Sequence, residues 1–316
     1  MSARPTGIRA WLAVYLKGAC MGAADTVPGV SGGTIAMILG IYERLIAALT
    51  AFDPRMVRHG LRVHTHEGRT ALASKLQSMD APFLFVLGAG VLSAAATVAT
   101  AMNYAYTHHP VPTFSFFFGL IAASAVVLYR YVDIGSPRRI VVAFVGFAFA
   151  FVLTGATADG LLPTTPLVLF LTGAIAISAM VLPGISGAFL LLILGQYEYV
   201  SGLPRAVAEG ATTTVQGGNP SVLFDALVPF GSFMAGALVG VFSVAYAVRA
   251  ALKRFRKATL AFLVNLMVGA LRFPGEQILV EAETFDPRTV GLVVSFALVG
   301  VLAVIALDRY TDDLEY

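Results

Sequence analysis

The stretch GAADTVPGVSGGTIAMILGIYERL, residues 22–45, starts as a lipid-soluble helix, breaks at Pro28 into Pro-Gly-Val-Ser-Gly-Gly, and then resumes. Residues 180–200, MVLPGISGAFLLLILGQYEYV, repeat it. A shift of 155 residues lays Gly18 and Ala19 on Gly173 and Ala174, Ala24 on Ala179, Pro28 and Gly29 on Pro183 and Gly184, and Ser31 and Gly32 on Ser186 and Gly187. Ile38, Leu39, Gly40, Tyr42 and Glu43 then fall on Ile193, Leu194, Gly195, Tyr197 and Glu198, so that 12 of the 26 positions from 18 to 43 are identical. Apolar composition imitates Leu and Ala matches. It does not readily imitate Pro-Gly-x-Ser-Gly followed at fixed spacing by Gly-x-Tyr-Glu.

The surroundings of these breaks are apolar. The chain is 58% hydrophobic and 12% charged, with a mean hydropathy of +0.81, against about 25% charged in soluble domains. Non-helical backbone in lipid leaves its polar groups unpaired unless protein or a wet cavity covers it. Regions 8–52 and 165–203 therefore read as re-entrant helical hairpins facing the protein interior. Six further runs, 82–106, 112–131, 139–158, 226–249, 258–273 and 290–307, approach the roughly 20 residues that cross a bilayer.

Basic residues sort this topology. If both ends of the first hairpin face the cytoplasm, the inner segments are the N-terminus, 53–81, 129–139, 249–257 and the C-terminus, and they hold 17 of the 21 Lys and Arg residues. That is the bias expected of cytoplasmic loops, so both termini are expected to be cytoplasmic, in the cytoplasmic membrane. Each half, 1–160 and 161–316, is then one hairpin plus three spans. Three crossings turn the second copy upside down. The expected fold is an all-α integral membrane protein with an inverted structural repeat, an architecture that places binding sites at the repeat interface near the midplane.

The broken motifs offer backbone N–H groups at helix starts, which suit an anion. The candidate phosphate-binding residues are Gly29, Ser31, Gly32, Gly33 and Thr34 in the first copy and Gly184, Ser186 and Gly187 in the second. Lys17 and Arg44 are added as cations; Lys17 is unmatched, opposite Thr172. Ionisable groups at membrane depth are functional candidates, which marks Asp25, Glu43 and Glu198 for proton or ion coupling. Asp25 stands opposite Met180. Asp25, Lys17 and Arg44 are expected to form a buried charge cluster.

Blander roles stay open beside these. Pro-Gly-x-Ser-Gly could only shape a turn with Ser as a helix cap, Asp25 could cap or pair internally, and Glu43 and Arg44 could lie at a hairpin end. Arg272 is a weaker ligand candidate. Phe114, Phe116, Phe117 and Phe118 read as packed core or lipid-facing, and Gly88, Gly90, Gly236 and Gly240 as sites of close helix packing. The single cysteine, Cys20, excludes an internal disulfide, and Lys17 interrupts what would be a cleavable leader. His64 with His66 and His108 with His109 lack acidic or Cys partners nearby. No metal, cofactor or nucleic-acid partner is expected.

The two glycine stretches, with PTFSFFFGLIAAS at 112–124, resemble the family formerly called domain of unknown function 368, the polyprenyl-phosphate (undecaprenyl phosphate) translocases. The resemblance spans almost the whole chain. It implies a transporter, not an enzyme, which returns the polyprenyl phosphate lipid carrier across the cytoplasmic membrane, with membrane lipids as its other partners. Inward movement of an anion toward a negative interior costs about 2.3 kcal/mol per charge per 100 mV, so coupling to protons or another cation is expected. Polyprenyl-pyrophosphate phosphatases carry a similar Pro-Gly-x-Ser-Arg-Ser motif. Here Gly32 replaces the Arg, and no Glu-x-x-x-Glu motif lies in the N-terminal hairpin, so the charge that stabilises a phosphoryl-transfer transition state is missing. A small-anion transporter or channel would use the same opposed helix starts.

Overall fold

The structure is a computed structural model that describes residues 7–25, 31–51, 79–155, 162–282 and 284–311, and the regular elements among them are all helical. In chain order they are α1 (Ile8–Asp25), α2 (Gly32–Ile38), α3 (Tyr42–Leu49), α4 (Ala81–His108), α5 (Pro110–Tyr129), α6 (Pro137–Thr154), α7 (Pro166–Val181), α8 (Gly187–Ile193), α9 (Tyr197–Val215), α10 (Ser221–Ala270), α11 (Arg272–Glu281) and α12 (Pro287–Thr311). Proline sits in the first turn of α4, α5, α6 and α7, where its missing N–H has no intrahelical acceptor to lose.

Four stretches, Pro110–Tyr129, Pro137–Thr154, Ser221–Glu281 and Pro287–Ala306, are long and apolar enough to cross a membrane. The third is far longer than one crossing and leaves helical geometry at Phe255 (φ −138°, ψ 47°). The break falls between the expected spans 226–249 and 258–273, which are the two helices on either side of it. Large apolar side chains such as Phe144, Leu167, Leu238 and Leu302 stand exposed on the outside of the bundle. In water such a surface would drive aggregation; in lipid it is solvated. The chain is a multi-pass membrane protein.

The main helix pairs approach at glycine, where a Cβ would overlap a carbonyl of the neighbour. Gly90 of α4 lies on Tyr15 O of α1, and Gly236 of α10 lies on Phe170 O of α7. Likewise Gly300 of α12 lies on Phe116 O of α5, and Gly146 of α6 on Phe262 O of α10. Gly240 packs against α7 in the same manner, whereas Gly88 has open space around it and makes no close approach. Phe114 and Phe117 are buried core, with Phe273 bridging Phe114 and Phe189.

Charged contacts tie together the segments that the basic-residue pattern assigns to one face. Arg130 pairs with Asp308, Lys257 and Arg139 both pair with Asp133, and Arg256 pairs with Glu43. The hydrogen bond from Lys257, then the Gly135 N–H, then Arg139 hold the Asp133 carboxyl well below the usual carboxylate range. Arg205–Glu209 and Arg272–Glu276, on segments assigned to the other face, are each local to one helix.

Candidate functional site

The same local geometry occurs twice. Ser31 and Ser186 are the N-caps of α2 and α8, each accepting a backbone N–H from the first turn. Gly40 and Gly195 end those short helices at φ +65° and +64°, a left-handed turn that glycine adopts without Cβ strain. The Ile41 N–H reaches Ala36 O at 3.0 Å, and the Gln196 N–H reaches Leu191 O at 2.9 Å. After the first of these turns α3 leaves α2 at a bend of 120°.

The two motifs also touch. Ser31 Oγ donates to Leu182 O at 3.2 Å, the Gly184 N–H donates to Thr34 Oγ1 at 2.8 Å, and Tyr42 Oη donates to Val181 O at 3.0 Å. Ser31, Thr34 and Ser186 are all buried. A Cβ on Gly33 would press on Met180 O and the Leu182 carbonyl, and one on Gly184 on the Leu266 and Met267 backbone. Residues 31–42 of the first copy therefore bond to 181–184 of the second. Gly29 and Pro28 lie outside the described residues.

The expected charge cluster is not what the structure contains. Asp25 Oδ1 accepts the Gly32 N–H at 2.6 Å, at the start of α2. Lys17 Nζ donates to Leu39 O at 2.9 Å, at the end of α2. Arg44 Nε pairs with Asp80 Oδ2 at 2.7 Å, with its guanidinium 4.1 Å from the Phe83 ring centroid. The physical reason is the brevity of α2. A helix leaves four N–H and four C=O groups unpaired at its ends, so a seven-residue helix is mostly ends. A carboxylate at its start and an ammonium at its end match its dipole. In the second copy Met180 replaces Asp25 and packs against Gly187 instead.

Glu43 pairs with Arg256 at 2.9 Å, both side chains more than half exposed (53% and 61%), and Glu198 is exposed in the first turn of α9. Both sit in the first turns of the helices that follow the glycine turns, rather than at the junction. Arg272 is also engaged elsewhere: it bonds Glu276 and Phe151 O and stacks on the Phe151 ring. Asp80 and Gln196 were not singled out by sequence reasoning. Gln196 had a usable signal, since it is a polar residue opposite Ile41 under the 155-residue shift. Arg44→Ala is expected to lower stability by about 1–2 kcal/mol, the sum of a partly buried ion pair and a cation–π contact. Thermal unfolding in detergent measures this, and an unchanged Tm would assign the pair no structural role.

A profile of the family described as undecaprenyl phosphate translocase-like (VCA0040-like) matches residues 21–286. The chain belongs to this family. A curated relative from Vibrio cholerae serotype O1, named polyprenyl-phosphate transporter, is 38% identical over 261 residues, covering 83% of this chain and 76% of its own. A second of the same name, from Staphylococcus aureus, is 29% identical over 278 residues, covering 84% of this chain and 87% of its own. No solved structure matches the chain. The translocase-like match takes in both glycine motifs and the carboxylates from Asp25 to Glu198, while Lys17 precedes it.

Proposed function

We propose that this chain moves polyprenyl phosphate across the cytoplasmic membrane, returning the carrier from the outer to the inner leaflet. Membership of the translocase-like family and the names of its curated relatives support the substrate. The observation that carries the mechanism is the bonded contact between the two glycine motifs, Thr34 to Gly184 and Ser31 to Leu182. This contact is a closed seam of small residues and polar groups inside an apolar bundle. Parting it frees the Ser31 and Thr34 hydroxyls and the Gly184 N–H together, and gives an anionic headgroup a path. The prenyl tail stays outside, in lipid, along the exposed apolar faces.

The two halves, 1–160 and 161–316, act as inverted repeats in this reading, with regions 8–52 and 165–203 as re-entrant hairpins and the termini cytoplasmic. The recurring contacts support it: Gly90 on Tyr15 matches Gly236 on Phe170, while Gly300 on Phe116 matches Gly146 on Phe262 across halves. Phosphate contacts come from Ser31, Gly32, Gly33, Thr34, Gly184, Ser186 and Gly187, with Lys17 as the adjacent cation and Gly29 completing the first motif. Arg44 holds the hairpin end through Asp80. Of the three carboxylates, only Asp25 lies at the junction, so proton coupling runs through it, and Glu43 and Glu198 mark the hairpin ends.

Purified protein in liposomes tests this. Labelled polyprenyl phosphate placed in one leaflet is expected to become accessible in the other only when the protein is present, with no phosphate released from a polyprenyl pyrophosphate. Release of phosphate would make the protein a hydrolase. Passage of a small free anion without lipid movement would make it an anion channel.

A further inference from the structure

The short helices α2 and α8 end alike. Leu39 and Leu194 are their C-caps, and the following glycines and backbone hydrogen bonds superpose in kind. The last carbonyls of a helix carry the negative end of its dipole, which is felt strongly where water is scarce. The first half answers this with a full positive charge, the Lys17 ammonium at 2.9 Å from Leu39 O. Among the described residues of the second half no such charge is bonded to Leu194 O, and Thr172, buried at 2% exposure, stands in Lys17's place.

A second difference falls at the same end. Ile41 of the first half is Gln196 in the second, and Gln196 is 1% exposed. Its Nε2 donates to Leu162 O at 2.6 Å, but among the described residues no donor reaches its Oε1. A buried acceptor left without a donor is uncommon in native structures and calls for an unseen partner. The half with Lys17 has an apolar side chain here. The half with Thr172 has a spare oxygen.

We propose that the second half binds a monovalent cation, Na+, at the end of α8, with Gln196 Oε1 and the carbonyls of the helix end as its protein ligands. Na+ takes the role that the Lys17 ammonium plays at α2. The donor set is a neutral amide and backbone carbonyls. Such hard, uncharged oxygens suit a singly charged hard cation rather than Ca2+, which gathers carboxylates, or a transition metal. Broken-helix C-termini hold coupling ions in secondary transporters of other folds. The site rests on the two-halves reading above and not on which lipid is carried.

The test uses the purified full chain without lipid substrate, in NaCl, KCl or choline chloride at equal ionic strength. Na+ is expected to raise Tm by a few degrees, saturably, because a ligand bound only by the folded state stabilises it. Gln196→Met, similar in length but lacking the amide, loses that rise or shifts it to at least about 10-fold higher Na+, the scale of loss when a ligand's supporting contact is removed. Thr172→Lys supplies an ammonium as Lys17 does, so its Tm is already raised in choline and no longer responds to Na+. An equal response to all three salts overturns the site, as does a full Na+ response in Gln196→Met. A buried water on Gln196 Oε1 gives no Na+ response and overturns it too. If Gln196→Met does not fold, saturable binding of radioactive Na+ by the wild type decides, and its absence overturns the site. Na+ binding without lipid movement would sink the proposed function and leave this site standing; lipid movement without Na+ binding does the reverse.

Discussion

Gly184→Ala is expected to abolish lipid movement and to cause the largest stability loss of any single-methyl change at the junction. Gly184 has φ +85°, and an added Cβ would lie 2.8–2.9 Å from the Leu266 and Met267 backbone. The left-handed conformation costs a residue with a Cβ about 1–2 kcal/mol. Crowding against backbone rather than a flexible side chain adds about 1–3 kcal/mol. The sum of about 2–5 kcal/mol is a large fraction of the roughly 5–15 kcal/mol by which a folded protein is stable. The shift also pulls the Gly184 N–H away from Thr34 Oγ1, with which it makes the 2.8 Å bond across the two motifs. Gly88→Ala is the matched control. Nothing lies within 4 Å of its added methyl, and alanine is the better helix former by about 1 kcal/mol. Thermal unfolding in detergent and headgroup movement in liposomes read both variants. If Gly184→Ala moves lipid as well as Gly88→Ala does, the contact between the motifs is not the path.

Much of this architecture is legible in the sequence because its strongest signals are local. The apolar stretches that start at 82, 112, 139 and 165 place the starts of α4, α5, α6 and α7 to within two residues, and Pro82, Pro110, Pro137 and Pro166 sit in those first turns. The 155-residue repeat carries over the Ser caps and the glycine turns, since both are set by neighbours in sequence. The helical run between 249 and 258, up to the break that separates the spans 226–249 and 258–273, is less visible. Lys253, Arg254, Arg256 and Lys257 look like a loop by charge, but they are good helix formers and no Gly or Pro interrupts them, so the helix continues to a kink at Phe255. Gly88 reads like Gly90 in sequence, yet only the helix face it occupies decides whether a neighbour lies there.

The candidate site was harder, because partners come from distant segments. Nothing in sequence says that Arg44 would choose Asp80 over Asp25, or that Thr34 would meet Gly184 from 150 residues away. Sequence marks candidate residue types and leaves their pairing open. Asp25 shows the difference most clearly. Sequence places an acidic group next to a glycine-rich break and leaves open whether it caps, pairs or carries a proton. The structure gives it a backbone partner at the start of α2 and leaves Lys17 to serve the other end.

Asp25→Asn is accordingly expected to keep the fold and lose the response to a proton gradient. An Asn Oδ1 still accepts the Gly32 N–H, now at 2.6 Å from the carboxylate, so α2 keeps its cap and Tm changes little. An amide cannot take up and release a proton, however. Moving one negative charge inward against 100 mV costs about 2.3 kcal/mol, which at about 1.36 kcal/mol per tenfold is a roughly 50-fold penalty on inward accumulation. Wild-type protein in liposomes with a negative interior and an acidic exterior is expected to overcome that penalty. The Asn variant should match wild type at zero potential and equal pH, and fall behind by up to about 50-fold per charge when the potential and the acidic exterior are imposed. Asp25→Leu, which removes the acceptor as well, should lose stability too and so separates capping from coupling. An Asn variant that keeps the full gradient response would take the proton away from Asp25. The driving ion would then have to enter elsewhere, and the end of α8, where Thr172 replaces Lys17, is the place where Na+ dependence of the same variant would reveal it.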